Sequence, residues 1–206
     1  YCKKIMIFHY FFVMRIQNFL GVFNKTVDYI DVAFPIVHGK GVEDGSLVGY
    51  LESIGIPYCE SNVLSSSLGQ DKVIQKQVLN ASGIKTPKYV WFYDSEYLNN
   101  SENINKSIKK LGYPVIVKPA NLGSSIGIKI ANNEEEVVKA INEAISYDNK
   151  IIVEEVIKNL QEVNCAVLGN YEYQETSSII EMKTGNAFLT FEDKDIGNGK
   201  KKGSFK

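Results

Sequence analysis

The 206 residues carry 23 lysines and arginines against 24 aspartates and glutamates, a formal net charge of −1, with 44% hydrophobic and 23% charged residues. That is the composition of a globular chain able to bury one large or two small cores, and it excludes disorder as the default state. Near-neutral charge leaves no overall field for nucleic acid or an anionic membrane, so any anion site must be assembled from local groups.

The apolar run from Ile5 to Met14, flanked by Lys3, Lys4 and Arg15, spans about ten residues, too few to cross a bilayer. It reads as a buried strand over Lys4–Phe8 leading into a second apolar element, and a further strand is expected at Val32–Val37. Asp44 to Ile54 places Leu47, Val48, Leu51 and Ile54 on one helical face and stops at Gly55 with Pro57 beyond. Ser61 to Gly69, small and polar with Ser65-Ser66-Ser67 at its centre, reads as a domain junction. Helical spacing resumes from Asp71 to Ala81 through Val73, Ile74, Val78 and Leu79, ending at Gly83. Strands are expected at Tyr89–Tyr93, Val115–Lys118 and Ile126–Ala131. Asn133 to Ile145 reads as a helix with Asn133 as its cap and Glu134, Glu135 and Glu136 in the first turn, where negative charge suits the helix dipole.

Beyond it come strands at Ile151–Glu154, Val163–Leu168 and Ser177–Glu181, with a hinge around Glu154 to Asn159 and antiparallel character after it. Alternation of short strands and amphipathic helices argues an α/β protein. Gly197 to Lys206 is rich in glycine and lysine and reads as a solvated loop or tail. A chain stopping in a loop suggests a truncated protein.

Cys2, Cys59 and Cys165 lie far apart beside apolar runs with no C-x-x-C pair. They read as packed, reduced thiols of a cytosolic protein. His9 and His38 are too few for a histidine metal centre, so any metal would need oxygen ligands, and no residue is assigned as one.

The segment from Val115 to Ile128, VIVKPANLGSSIGI, joins two apolar runs through a small, hydroxyl-rich loop with a lysine at its mouth. Glycine lets backbone approach an anion closely, loop N–H groups and the Ser124 and Ser125 hydroxyls can donate to phosphate oxygens, and Lys118 supplies positive charge. An ordinary hairpin turn is the alternative, but an ammonium at the end of a buried strand is costly unless something anionic meets it.

Four strings in order resemble the D-alanine:D-alanine ligase family of ATP-grasp enzymes, with its D-serine and D-lactate relatives of vancomycin resistance. They are Phe34 to Lys40 followed by Glu43-Asp44-Gly45; Leu64 to Ser67 with Gln70-Asp71-Lys72; the VIVKPANLGSSIGI segment; and Ile152 to Glu155 with Glu162 to Gly169. The resemblance implies an N-terminal parallel-sheet (pre-ATP-grasp) domain over residues 1–66, a central ATP-grasp subdomain over 67–153, and a C-terminal ATP-grasp subdomain over 154–206 cut in its lid loop.

It implies a cytoplasmic, ATP- and Mg²⁺-dependent carboxylate-amine ligase for peptidoglycan precursors. This enzyme phosphorylates one D-alanine and couples the acyl phosphate to a second D-amino acid, D-alanine or alternatively D-serine. Homodimers are known in the family.

By the same resemblance Lys72 and Lys118 bind ATP phosphates beneath the Ser124 and Ser125 loop. Glu154, Glu155 and the backbone of Val156 and Ile157 meet the adenine, and Glu162 accepts the ribose hydroxyls. His38 and Glu43 hold the first D-alanine; Glu43, Ser125 and Lys194 are its catalytic residues. Several of these have plainer explanations: Glu43 as a capping carboxylate, His38 as a packed histidine, Glu162 as a solvated strand residue.

The chain departs from the family at three places. Gly41 and Val42 stand before Glu43 where the family reads His-Gly-x-x-Gly-Glu, Asp195 replaces a tyrosine or histidine of the lid, and His9 to Phe12 replace an N-terminal glycine-rich loop. The family's magnesium ligands and catalytic arginine fall beyond Lys206, and Arg15 is the sole arginine. These 206 residues are therefore expected not to turn over by themselves. A non-catalytic nucleotide-binding module and a different ATP-grasp carboxylate-amine ligase are the competing readings.

Overall fold

A computed structural model describes the strand 5–8 and residues 31–182. The chain forms two compact units, one of residues 1–86 with 120–123, the other of residues 87–119 with 124–206.

In the first unit β1 (Ile5–Phe8) and β2 (Val32–Pro35) pair in parallel, Ile5 opposite Val32 and Phe8 opposite Pro35. A third extended segment joins them at Tyr58, bridged in parallel to Ala33. Ala33 N–H donates to Pro57 O at 2.8 Å and Cys59 N–H to Ala33 O at 3.0 Å. The expected parallel sheet is present. Helix α1 (Ser46–Ser53) turns Leu47, Val48 and Leu51 inward; Leu47 and Leu51 meet Ala33, with Val37, Val42, Ile56 and Tyr58 around them.

The small, polar run Ser61 to Gly69 is helical rather than irregular, forming most of α2 (Val63–Gln70). Its start is fixed by Asn62, whose side chain accepts from Ser65 N–H at 2.9 Å. Asp71 then caps α3 (Lys72–Ala81), accepting from Val73 N–H at 2.9 Å and Ile74 N–H at 3.1 Å. A carboxylate in that position satisfies two of the donors a helix start leaves unpaired.

The second unit is built on a four-stranded antiparallel sheet in the order β3-β6-β4-β5: β3 (Tyr89–Tyr93), β6 (Lys150–Glu155), β4 (Val115–Pro119) and β5 (Lys129–Ala131). Two helices back it, α4 (Asp94–Lys109) and α5 (Glu134–Ile145). The β4 side chains alternate, so Val115 and Val117 join Phe92, Ile151 and Val153 in a core with Ile108, Val137, Ala140, Ile141 and Ala144. Each fully buried valine or isoleucine there contributes about 1.5–3 kcal/mol. As expected, Asn133 caps α5, accepting from Glu136 N–H at 3.0 Å.

Helix α4 carries four asparagines and departs from helical angles at Asn100 (φ −147°), which hides it from a reading of apolar periodicity. It starts where Tyr93 N–H donates to Glu96 Oε2 at 2.7 Å.

Three strand expectations change. The strand expected over Ile126–Ala131 shrinks to β5, because Ser124, Ser125 and Gly127 take φ of 48°, 60° and 67° and cannot join an extended ladder. Val163–Leu168 divides into β7 (Glu162–Asn164) and β8 (Val167–Gly169) at Ala166, whose N–H donates to Ser177 Oγ at 2.9 Å. Ser177–Glu181 resolves into β10 (Ile180–Met182), which pairs with β7, while β9 (Gln174–Thr176) pairs with β8. Cys59 and Cys165 are exposed free thiols, not packed ones, since each sits on a segment with one open side. Cys2 lies outside the described residues.

Candidate functional site

On the β4–β6 sheet one face belongs to the helix-backed core, and the opposite face carries the charged groups. Lys118 pairs in register with Ile152, and Glu154 lies diagonally across from it. Their side chains meet, Lys118 Nζ to Glu154 Oε2 at 3.0 Å, with Lys118 21% and Glu154 5% exposed. A carboxylate that deep requires a cation, and the lysine at the end of β4 supplies one. Next along β6, Lys150 lies over the Trp91 ring at 5.0 Å and the Tyr93 ring at 5.9 Å, a cation–π arrangement that covers its stem.

At the exit of β6, Glu155 Oε1 accepts from Lys88 N–H at 2.9 Å. Glu155 N–H donates to Lys88 O at 3.0 Å, and Val156 N–H to Pro114 O at 3.4 Å. Ile157 is half exposed. Glu162 opens β7, and its Oε2 is buried without a hydrogen-bond partner. A buried carboxylate oxygen ordinarily meets a hydrogen-bond donor.

The loop after β4 is strained at Ser124 and Ser125, consecutive left-handed residues that are not glycine. Each costs about 1–2 kcal/mol against the ordinary backbone, and such strain collects at ligand-contacting loops. Ile128 N–H closes the turn on Ser125 O at 3.4 Å.

In the first unit, residues 120–123 are held by the α2–α3 corner. Lys72 N–H donates to Ala120 O at 3.0 Å, Lys72 Nζ donates to Ala120 O at 3.3 Å and to Leu122 O, and Gln70 Nε2 donates to Asn121 O at 3.0 Å. The sequence contains Gln-Asp-Lys as a string but gives no sign that Gln70 and Lys72 seize three successive carbonyls.

The His38 to Gly45 turn wraps its own carboxylates. Glu43 Oε2 accepts from Gly39 N–H at 2.6 Å, and Glu43 Oε1 stands 3.6 Å from His38 Nδ1, with the histidine 80% exposed. His38 is thus not a packed core histidine. Glu43 also lies beside Gly123, where an added Cβ would come within 3.7 Å of Oε2.

Asp44, which sequence reading left without a role, accepts from Gly41 N–H at 2.7 Å and Ser46 N–H at 3.0 Å, and its own carbonyl accepts from Ser67 Oγ at 2.8 Å. Burial pushes the Asp44 carboxyl up, but hydrogen bonds from Ser46 and Gly41 and the charge of Lys40 outweigh it and leave the pKa lowered. Glu60 is pushed up by burial and by the charge of Glu43. Lys194 lies outside the described residues, and among those residues no three His, Cys, Asp or Glu side chains gather as a metal site.

The model of the family "D-ala D-ala ligase C-terminus" matches residues 78–205. Among relatives, a D-alanine–D-alanine ligase of Thermoanaerobacter sp. (strain X514) is 44% identical over 171 residues, 83% of this chain and 47% of that protein. One from Staphylococcus epidermidis (strain ATCC 12228 / FDA PCI 1200) is 43% identical over 165 residues, 80% of this chain and 46% of that protein. Among solved structures, a D-Ala:D-Ser ligase from Enterococcus faecalis superposes with a TM-score of 0.69 at 36% identity, covering 76% of this chain and 44% of that one. A D-alanine–D-alanine ligase from Bacillus anthracis complexed with ATP gives 0.61 at 35% identity, covering 74% and 48%.

The antiparallel sheet backed by helices, the strained loop after β4 and these likenesses define an α/β chain of the ATP-grasp class. The chain belongs to the D-alanine–D-alanine ligase family. It spans about half the length of the curated relatives it matches.

Proposed function

We propose that this chain serves an ATP-dependent D-alanine:D-alanine ligase of the cytoplasm that makes a peptidoglycan precursor. The observation that carries the reading is the buried, unpartnered Oε2 of Glu162, in a family one of whose solved members is complexed with ATP. A carboxylate can take both ribose hydroxyls, each donating to one oxygen, and Oε2 is already stripped of water for the purpose. Strand-exit backbone at Val156 and Ile157 meets the adenine edge, the Val156 C=O and the Ile157 backbone facing it while Val156 N–H stays on Pro114 O, with Glu154 and Glu155 flanking it. Lys118, Lys72 and the Ser124 and Ser125 loop take the phosphates, and residues 67–153 and 154–206 act as the central and C-terminal ATP-grasp subdomains beside a 1–66 N-terminal domain.

In this reading a carboxylate oxygen of the first D-alanine attacks the γ-phosphorus of ATP and ADP leaves. The amine of the second amino acid then attacks the acyl phosphate carbon, loses a proton, and inorganic phosphate departs. Glu43 holds the first D-alanine through its ammonium with His38 beside it, Ser125 steadies the transferring phosphoryl group, and Lys194 lies near it. Mg²⁺, when bound, neutralises phosphoryl charge. Among the described residues no three His, Cys, Asp or Glu side chains form a ligand cluster for it. With Arg15 as the sole arginine, the 206 residues alone bind nucleotide without turnover. The second amino acid is D-alanine; D-serine is the alternative, favoured by the likeness to the Enterococcus faecalis D-Ala:D-Ser ligase.

The test is calorimetric titration of the chain with ATP and with 2′,3′-dideoxy-ATP. Loss of the hydroxyls is expected to weaken binding about tenfold in the unaltered chain and hardly at all in Glu162→Ala. Equal affinity for both nucleotides, or no binding, overturns the reading; D-alanine-dependent ADP release by these 206 residues would overturn the claim that they do not turn over.

A further inference from the structure

The serine loop ends at Gly127, and two rings surround that glycine. A Cβ added there would lie 2.8 Å from Tyr147 Cδ2 and 2.9 Å from Pro119 Cγ, while the backbone has φ +67°. Gly127 therefore sits in a slot that admits a hydrogen and no side chain. One wall is Pro119, fully buried at the end of β4. The other is Tyr147, which leaves the C-terminus of α5 with its N–H bonded to Ala144 O at 3.0 Å, and which stays 48% exposed. A half-exposed ring usually contributes little to a core, yet this one closes the slot.

Three and two residues upstream, Ser124 and Ser125 hold left-handed angles that serine does not keep unaided. Within the second unit, Gly127 lies at one end of that turn with Tyr147 and Pro119 on either side.

We propose that Tyr147 is a positioning residue for the phosphate loop: its ring clamps Gly127 against Pro119 and so keeps Ser124 and Ser125 in the conformation that receives the phosphates of a nucleoside triphosphate. The ligand half of this statement rests on the nucleotide reading above; the clamp itself does not. The ring makes the contact and the hydroxyl takes no part in it, so Tyr147→Phe retains function and Tyr147→Ala loses it.

The experiment compares the unaltered chain with Tyr147→Ala, Tyr147→Phe and Gly127→Ala by amide hydrogen exchange across residues 124–128 without nucleotide, and by ATP calorimetry. In Tyr147→Ala, exchange across the loop rises about tenfold and ATP binds about tenfold more weakly, whereas Tyr147→Phe matches the unaltered chain in both. Gly127→Ala, which drives a methyl into the slot, loosens the loop with Tyr147 still present and decides the matter if Tyr147→Ala does not fold. Unchanged exchange in both alanine variants overturns the clamp. Loss of affinity in Tyr147→Phe with unchanged exchange also overturns it, in favour of a direct hydroxyl contact to the ligand. If the unaltered chain binds no ATP the nucleotide reading falls, and the exchange comparison still decides the part played by Tyr147.

Discussion

Replacing Lys118 with methionine removes the cation facing Glu154 while keeping the length of the side chain. At an effective dielectric of about 20, unit charges 3.0 Å apart attract by roughly 5–6 kcal/mol before desolvation is charged against them. Much of that is cancelled in the intact pair, but the variant takes the lysine away from a carboxylate only 5% exposed, and removing one partner of a buried pair costs about 3 kcal/mol. Lys118→Met is therefore expected to destabilise the second unit by about 3 kcal/mol, and Lys118→Met with Glu154→Gln by at least about 1.5 kcal/mol less than the two single changes summed. Trp91, the single tryptophan of the sequence, lies on β3 of the same sheet, so urea unfolding followed by its fluorescence reads this unit directly. A coupling below about 0.5 kcal/mol would refute the reasoning, because it would mean that the two groups are close without depending on one another.

In the first unit, Gly45→Ala puts a methyl 2.8 Å from Val63 O and 2.9 Å from Ser67 Oγ at φ +93°; backbone strain with displacement of α2 is expected to cost about 2–3 kcal/mol, read as a lower midpoint in denaturant melts followed by far-ultraviolet circular dichroism. The Tyr58 hydroxyl, donating to Glu52, is pushed up from 10.0 to about 12 by that hydrogen bond, by burial and by the charges of Glu52 and Glu60. Its folded value lies above its unfolded one, so its contribution to stability is complete below about pH 10 and lost as the pH climbs through about 12, a decline that Tyr58→Phe removes from the pH profile. Asp44 runs the other way: its lowered carboxyl contributes stability above the ordinary value of 3.8, lost as pH falls through the lower folded value, and Asp44→Asn flattens acid titrations of unfolding.

Periodicity made the central sheet legible. Tyr89–Tyr93 appears residue for residue, and Val115–Lys118 gains only Pro119, because alternating apolar residues on a two-faced sheet have one workable register. Asn133 was readable as a cap for an equally local reason: its side chain bonds three residues ahead. Helix α4 escaped because Asn99, Asn100, Asn103 and Asn105 dilute its apolar stripe to Tyr97, Ile104 and Ile108. Helix α2 escaped because none of its residues is buried and what ties it down is polar, as with Ser67 reaching the carbonyl of Asp44 from 23 residues away.

At the site, the sequence showed which groups were chemically able, Lys118 and the serines among them. It could not show that Glu154 would be the partner of Lys118, 36 residues on, or that the Lys72 amine would be engaged by backbone carbonyls. Such pairings depend on register and on loop paths, which a linear pattern does not encode.

The hold of Gln70 and Lys72 on residues 120–123 also sets a schedule for synthesis. Those carbonyls lie 48 to 51 positions downstream of the side chains that grip them. At about 5–20 residues per second, a nascent chain that has already emitted the α2–α3 corner waits roughly 3–10 s for its missing clasp. During that interval the corner emerges with its amide and ammonium donors met only by water, so ribosome-bound intermediates ending before residue 120 are the ones a chaperone would find open.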